Sequence, residues 1–80
     1  MWFVYILQCS DSTFYTGITT DLDRRVHEHN ESSKGAKYTR GRRPVCLVYS
    51  CNFPDKSAAA SEEYRIRILS RKAKRQLIGV

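Results

Sequence analysis

Eighty residues with 41 % hydrophobic side chains, nine aromatics and two prolines suit one small folded core and exclude both a disordered chain and a second module. The net charge of +6 is uneven: residues 1–30 hold two basic side chains against four acids, a balance of −2, whereas residues 31–80 hold twelve against four, a balance of +8. That field favours a polyanion, nucleic acid before an anionic membrane surface, because no basic amphipathic helix with bulky apolar anchors stands out.

The chain opens on Trp2-Phe3-Val4-Tyr5-Ile6-Leu7, apolar but without a basic leader and followed at once by Gln8, Ser10 and Asp11. Neither a signal peptide nor a membrane span is expected, and a cytoplasmic location is. A second aromatic and β-branched run, Thr13-Phe14-Tyr15-Thr16-Gly17-Ile18, follows the polar cluster Cys9 to Ser12, so the two runs predict a β-hairpin. If they pair around Ser10, Phe3 faces Gly17, Tyr5 faces Tyr15 and Leu7 faces Thr13. Both phenols then stand on one face, an outcome that neighbouring odd-loop registers preserve. Cys9, Cys46 and Cys51 are odd in number with no Cys-x-x-Cys pair, which points to reduced thiols rather than a disulfide framework or a zinc site.

Thr20-Asp21-Leu22-Asp23 reads as a helix start with Thr20 as N-cap, and the helix runs to about Asn30. Leu22, Val26 and His29 form its inner line, with Arg25 on the border of that stripe. His27 and His29 point about 200° apart on a helix, which argues against a shared metal. Glu31 to Pro44 lacks periodicity and reads as a basic loop. Val45 to Cys51 is apolar nearly throughout, as a central strand covered on both faces would be. A helix from Lys56 or Ser57 to Leu69 has Ala58, Ala59, Ile66 and Leu69 inside and Glu63 on the edge of that line, with Glu62 as its rival. A last helix, Arg71 to Ile78, has Ser70 as N-cap and docks through Leu77 and Ile78. The expected fold is α+β, a three-stranded antiparallel sheet flanked by helices in the order β-β-α-β-α-α, as a single domain over residues 1–80.

The stretches Val4-Tyr5-Ile6-Leu7, Tyr15-Thr16-Gly17-Ile18-Thr19-Thr20, Asp21-Leu22-Asp23-Arg24-Arg25-Val26, His29-Asn30, Tyr38-Thr39-Arg40-Gly41, Leu47-Val48-Tyr49 and Glu63-Tyr64 occur in the order found in one family. On them the chain resembles the GIY-YIG nuclease superfamily, most closely its small stand-alone bacterial members, relatives of the nuclease domain of the excision-repair incision subunit and of intron homing endonucleases. Phe3 stands where the first motif often has glycine, and Thr16 replaces an isoleucine of the second. Both are backbone or packing positions, and Gly17 is retained.

The resemblance implies hydrolysis of phosphodiester bonds in DNA with one divalent metal, Mg²⁺ or Mn²⁺, in a structure-selective or weakly sequence-selective manner. It implies catalytic roles for Tyr5, Tyr15, Arg25, His29 and Glu63, with Glu63 as the metal ligand. The chemistry suits these residue types: a carboxylate-held metal polarises a phosphate, a guanidinium neutralises phosphoryl charge, and a phenol or imidazole handles the attacking water. Lys34, Lys37, Arg40, Arg42 and Arg43, with Arg71, Lys72, Lys74 and Arg75, are the expected grip on the phosphate backbone, which positions without specifying sequence. A targeting protein partner would then supply selectivity. The rival reading is a nucleic-acid-binding module or adaptor that kept the fold and lost turnover.

Overall fold

The computed structural model describes residues 1–79. Strand β1 (Trp2–Gln8) buries Val4, Ile6, Tyr5 and Leu7, so side chains pointing to both of its faces are inside, and it is the middle strand of the sheet. Strands β2 (Phe14–Thr19) and β3 (Cys46–Phe53) flank it in the antiparallel order β2-β1-β3. Helix α1 (Leu22–Glu31) and a short α2 (Lys37–Arg40) are joined by residues 32–36, and α3 (Lys56–Arg67) and α4 (Arg71–Ile78) follow β3. On one face of the sheet Val4 and Ile6 pack against Ala59 and Ile66 of α3, with Leu77 and Ile78 of α4 alongside. On the other face Tyr5 and Leu7 join Cys9 and Val45, covered by Leu22 and Val26 of α1. None of the described helices is long and apolar enough to cross a membrane.

The α+β class and the three-stranded antiparallel sheet are as the sequence predicts, and four details differ. The hairpin pairs Tyr5 with Gly17 and Leu7 with Tyr15, two residues away from the expected alignment. The turn centres on Asp11 rather than Ser10: Asp11 Oδ1 accepts from the Thr13 N–H at 3.1 Å, and Ser12 takes a left-handed φ of 68° in place of the absent glycine. Because the shift is even, both phenols keep their face. The run Val45 to Cys51 is an edge strand, not the central one. A bulge between Ile6 and Leu7 inserts Val48 and breaks the alternation, leaving Cys46 and Leu47 exposed.

The N-cap of α1 is Asp21, whose carboxylate accepts from the Arg24 N–H at 3.1 Å, rather than Thr20. The basic loop contains α2, so the order is β-β-α-α-β-α-α. This turn of helix forms because the chain is pressed onto the end of α1. A Cβ on Gly35 would lie 2.6 Å from the Glu28 carbonyl oxygen and 2.9 Å from His29 Cα, so only glycine lets the loop approach that closely.

Candidate active site

Tyr5 lies across the glycine opposite it in the hairpin: a Cβ on Gly17 would stand 2.5 Å from the Tyr5 hydroxyl and 2.7 Å from its Cζ. The missing side chain is what lets the phenol lie down on β2 and reach α1. There its hydroxyl meets His29 Nε2 at 2.8 Å. Both residues are inside the protein, at 1 % and 0 % exposure. The other ring nitrogen, Nδ1, accepts from the Ala36 backbone N–H at 3.3 Å and lies 3.0 Å from Thr39 Oγ1. Thr39 Oγ1 also donates to the Ala36 carbonyl at 2.9 Å, so the imidazole is held at both nitrogens, between Tyr5 on one side and the Ala36–Thr39 turn on the other. Burial, helped by the charges of Arg25 and Arg43, depresses the His29 pKa to about 4, so the ring is neutral at pH 7.

Burial likewise pushes the Tyr5 phenol up to about 12, against the Arg25 guanidinium beside it, which favours the phenolate; the charges of Tyr15 and Glu63 add to the upward shift. Arg25 itself is half-buried, with Nη1 donating to Glu28 Oε1 and to the Lys34 carbonyl, both at 2.9 Å. Its own pKa is raised, because Glu28 and Tyr5 together outweigh a burial that alone would lower it. Tyr15 completes an aromatic cluster, its ring 6.4 Å from Tyr5 and 5.2 Å from His29 between centroids.

Tyr15 is also where this cluster meets open space. A cavity of about 430 Å³ is lined by Phe14, Tyr15 and Thr16 of β2, Tyr38 of α2, Glu63 and Arg67 of α3, and Lys74 of α4. Phe14 and Tyr15 point to opposite faces of an edge strand, so the cavity wraps the outer edge of β2. Glu63 is on this wall, 3.6 Å from Arg67 Nη1. Glu62, its sequence rival, instead holds Arg65 through two bonds of 2.7 and 2.6 Å, away from the cavity.

The structure therefore brings Tyr15 and Glu63 to one cavity, sets Tyr5 and His29 behind Tyr15, and keeps Arg25 beside Tyr5. The basic residues divide. Arg43 donates to the carbonyls of His29 and Ser32 at 2.6 Å and of Glu28 at 3.4 Å, closing the end of α1. Arg42 pairs with Asp11 at 3.0 Å and donates to the Tyr38 carbonyl, and Arg40 donates to the Ser33 carbonyl. Arg71 donates to the Ser12 carbonyl at 2.9 Å. Lys34, Lys37, Lys72 and Arg75 are exposed, and Lys74 reaches the cavity.

Three further residues support the site through contacts made in the fold. Thr39 is wholly buried against His29, and Asn30 receives the Val45 N–H and donates to the Val45 carbonyl, tying α1 to the start of β3. Arg67 is the third; only the fold brings it to the cavity.

The arrangement of a three-stranded antiparallel sheet with helices on both faces is that of known small α+β proteins. The solution NMR structure of the UPF0213 protein BH0048 from Bacillus halodurans is 53 % identical, with a TM-score of 0.61 over 98 % of this chain and 83 % of that one. The solution NMR structure of protein EF2693 from E. faecalis is 42 % identical, with a TM-score of 0.64 over 95 % of this chain and 80 % of that one. Among curated relatives, the UPF0213 protein DP2720 of Desulfotalea psychrophila is 58 % identical over 96 % of this chain and 70 % of its own length. Residues 1–76 match the GIY-YIG catalytic domain, and the chain belongs to the GIY-YIG family, a nuclease fold.

Proposed function

We propose that this chain is a metal-dependent endonuclease that hydrolyses phosphodiester bonds in DNA, structure-selective or weakly selective for sequence, and acting as a single domain. The observation that carries the reading is the shared cavity wall of Tyr15 and Glu63, with the Tyr5–His29 pair bonded behind it. The uneven positive charge supports a polyanionic substrate.

Glu63 is the acid of the cavity wall, and no cluster of three His, Cys, Asp or Glu occurs among the described residues. A single hard carboxylate fits Mg²⁺ or Mn²⁺, ions that keep much of their water and take other oxygens from a phosphate. When bound, such an ion polarises the phosphate and stabilises the leaving oxygen. The chain's own groups do the rest. Lys74 and Arg67 hold the phosphate against Glu63, and Tyr15, exposed to the cavity, orients the attacking water. Tyr5, protonated at neutral pH, is fixed by His29 and supports Tyr15 from beneath. Arg25 supplies positive charge to this pair as negative charge accumulates in front of it.

Incubation of plasmid, branched and nicked DNA with Mg²⁺ or Mn²⁺ tests the reading. Wild type should cut, and Glu63→Gln should lose about a thousandfold in rate while unfolding at the same temperature. Absence of cutting by wild type, or equal cutting by Glu63→Gln, overturns it.

A further inference from the structure

Helix α2 has four residues and sends one side chain inside: Lys37, Tyr38 and Arg40 are exposed, whereas Thr39 is wholly buried. Valine would fill the same space, so the hydroxyl is the informative group. It has one hydrogen and two lone pairs. Thr39 gives the hydrogen to the Ala36 carbonyl at 2.9 Å and turns its oxygen to His29 Nδ1 at 3.0 Å. The Ala36 N–H reaches the same nitrogen at 3.3 Å. Nδ1 thus faces an acceptor and a donor at once, and a neutral imidazole answers one of them at a time. With the ring proton on Nδ1, Thr39 accepts it, bare Nε2 takes the Tyr5 hydroxyl hydrogen at 2.8 Å, and the Ala36 hydrogen is left over. With the proton on Nε2, the Ala36 N–H is satisfied, the Tyr5 oxygen accepts, and the Tyr5 hydrogen is left over. Each form leaves one donor without its partner, so the two lie close in energy. They have the same atoms and charge and differ in which ring nitrogen holds the single proton.

From this geometry we propose that Thr39 is a positioning residue: its hydroxyl keeps both imidazole forms populated, so that Tyr5 can present either an oxygen lone pair or its hydrogen toward Tyr15, whose ring lies 6.4 Å away between centroids. The proposal rests on the reading of Tyr15 and Glu63 as the site of hydrolysis. Thr39 is not on the cavity wall and acts through His29 and Tyr5. The advantage is chemical: the hydrogen-bond demand of Tyr15 reverses as the attacking water loses its proton, and a partner fixed as donor or as acceptor meets only one of the two states. A methyl group in place of the hydroxyl would leave a proton on Nδ1 without an acceptor, and the ring would settle with its proton on Nε2. Gly35, whose Cβ would lie 2.9 Å from His29 Cα, lets the turn come close enough for the contact.

The test is nitrogen NMR of the imidazole at neutral pH, in a His27→Asn background that removes the exposed second ring. With threonine at position 39 both ring nitrogens should show the two forms, averaged or as separate signals. Thr39→Val should leave only the form protonated on Nε2, and Thr39→Ser should restore both. Cleavage of nicked and branched DNA in Mg²⁺ or Mn²⁺ is the second readout: Thr39→Val should lower kcat about tenfold with KM unchanged, and Thr39→Ser should recover it. Thermal unfolding of each variant reports on the fold. A single imidazole form with threonine in place overturns the proposal, and this holds even if Thr39→Val does not fold. A Thr39→Val ring that keeps both forms, or Thr39→Val cleavage at the wild-type kcat, overturns it too and leaves the nuclease reading intact. Two forms that collapse to one in Thr39→Val, without cleavage by wild type, would sink the nuclease reading and leave the hold of Thr39 on the imidazole standing.

Discussion

The two faces of the sheet are held together by different physics. On the α3 and α4 face the interior is apolar, Val4 and Ile6 against Ala59 and Ile66, and its cohesion comes from removed surface, which is non-directional. On the α1 and α2 face the interior includes a phenol, an imidazole and a threonine hydroxyl, each with a named hydrogen-bond partner. No buried side-chain nitrogen or oxygen among the described residues lacks one. Directional interiors position groups to within tenths of an ångström and are intolerant of change; apolar ones absorb substitution. The candidate site lies at the border, where Tyr15 carries the order of the polar face to the cavity.

The contrast is sharpest at His29. Replacing it with alanine leaves a void and takes one partner each from the Tyr5 and Thr39 hydroxyls, so His29→Ala should lose about 3 kcal/mol or more in urea denaturation. A loss below about 1 kcal/mol would remove the distinction between the two faces. Acid should act on the same residue. His29 stays neutral in the fold down to about 4, whereas in the unfolded chain it binds a proton near its ordinary 6.5, so between those values the unfolded state holds more protons. Stability should therefore be complete above pH 6.5 and fall as the pH drops toward 4, by about 2–3 kcal/mol. His29→Gln should flatten that segment of the pH curve. The smallest effect separates inward from outward cations. Arg43→Ala, which frees the last carbonyls of α1, should destabilise by about 2 kcal/mol, whereas Lys72→Ala should change stability by less than about 0.5 kcal/mol and only weaken binding to DNA. Equal stability effects at the two positions would show that the inward arginine is a surface residue in practice.

Much of this was legible in the residues because the determinants are local. The α4 bounds and its Ser70 cap follow from a hydroxyl placed one residue before a helical stretch, where it accepts from the Ala73 N–H. The choice of Glu63 as an edge residue follows from its spacing to Ala59 and Ile66. Other features were not legible, because their cause lies in another part of the chain. The two-residue shift of the hairpin depends on which turn residue accepts the left-handed conformation, a choice among Ser10, Asp11 and Ser12 that composition leaves open. Val45 to Cys51 is apolar nearly throughout yet belongs to an edge strand, because the order β2-β1-β3 and the place of the bulge depend on pairing with β1. The fate of the arginines is the clearest case: Arg42 and Arg43 look like phosphate grips beside Arg40, yet Arg43 turns in to the end of α1.

By itself the sequence determined the kind of elements, the common face of Tyr5 and Tyr15, and the family, since periodicity, caps and motif order are written residue by residue. Only the tertiary structure decided that Tyr5 and His29 lie buried while Tyr15 meets the cavity, that Glu63 shares its wall and that Thr39 and Ala36 meet the second imidazole nitrogen. Burial and hydrogen-bond direction are properties of neighbours brought from distant parts of the chain, and no local pattern encodes them.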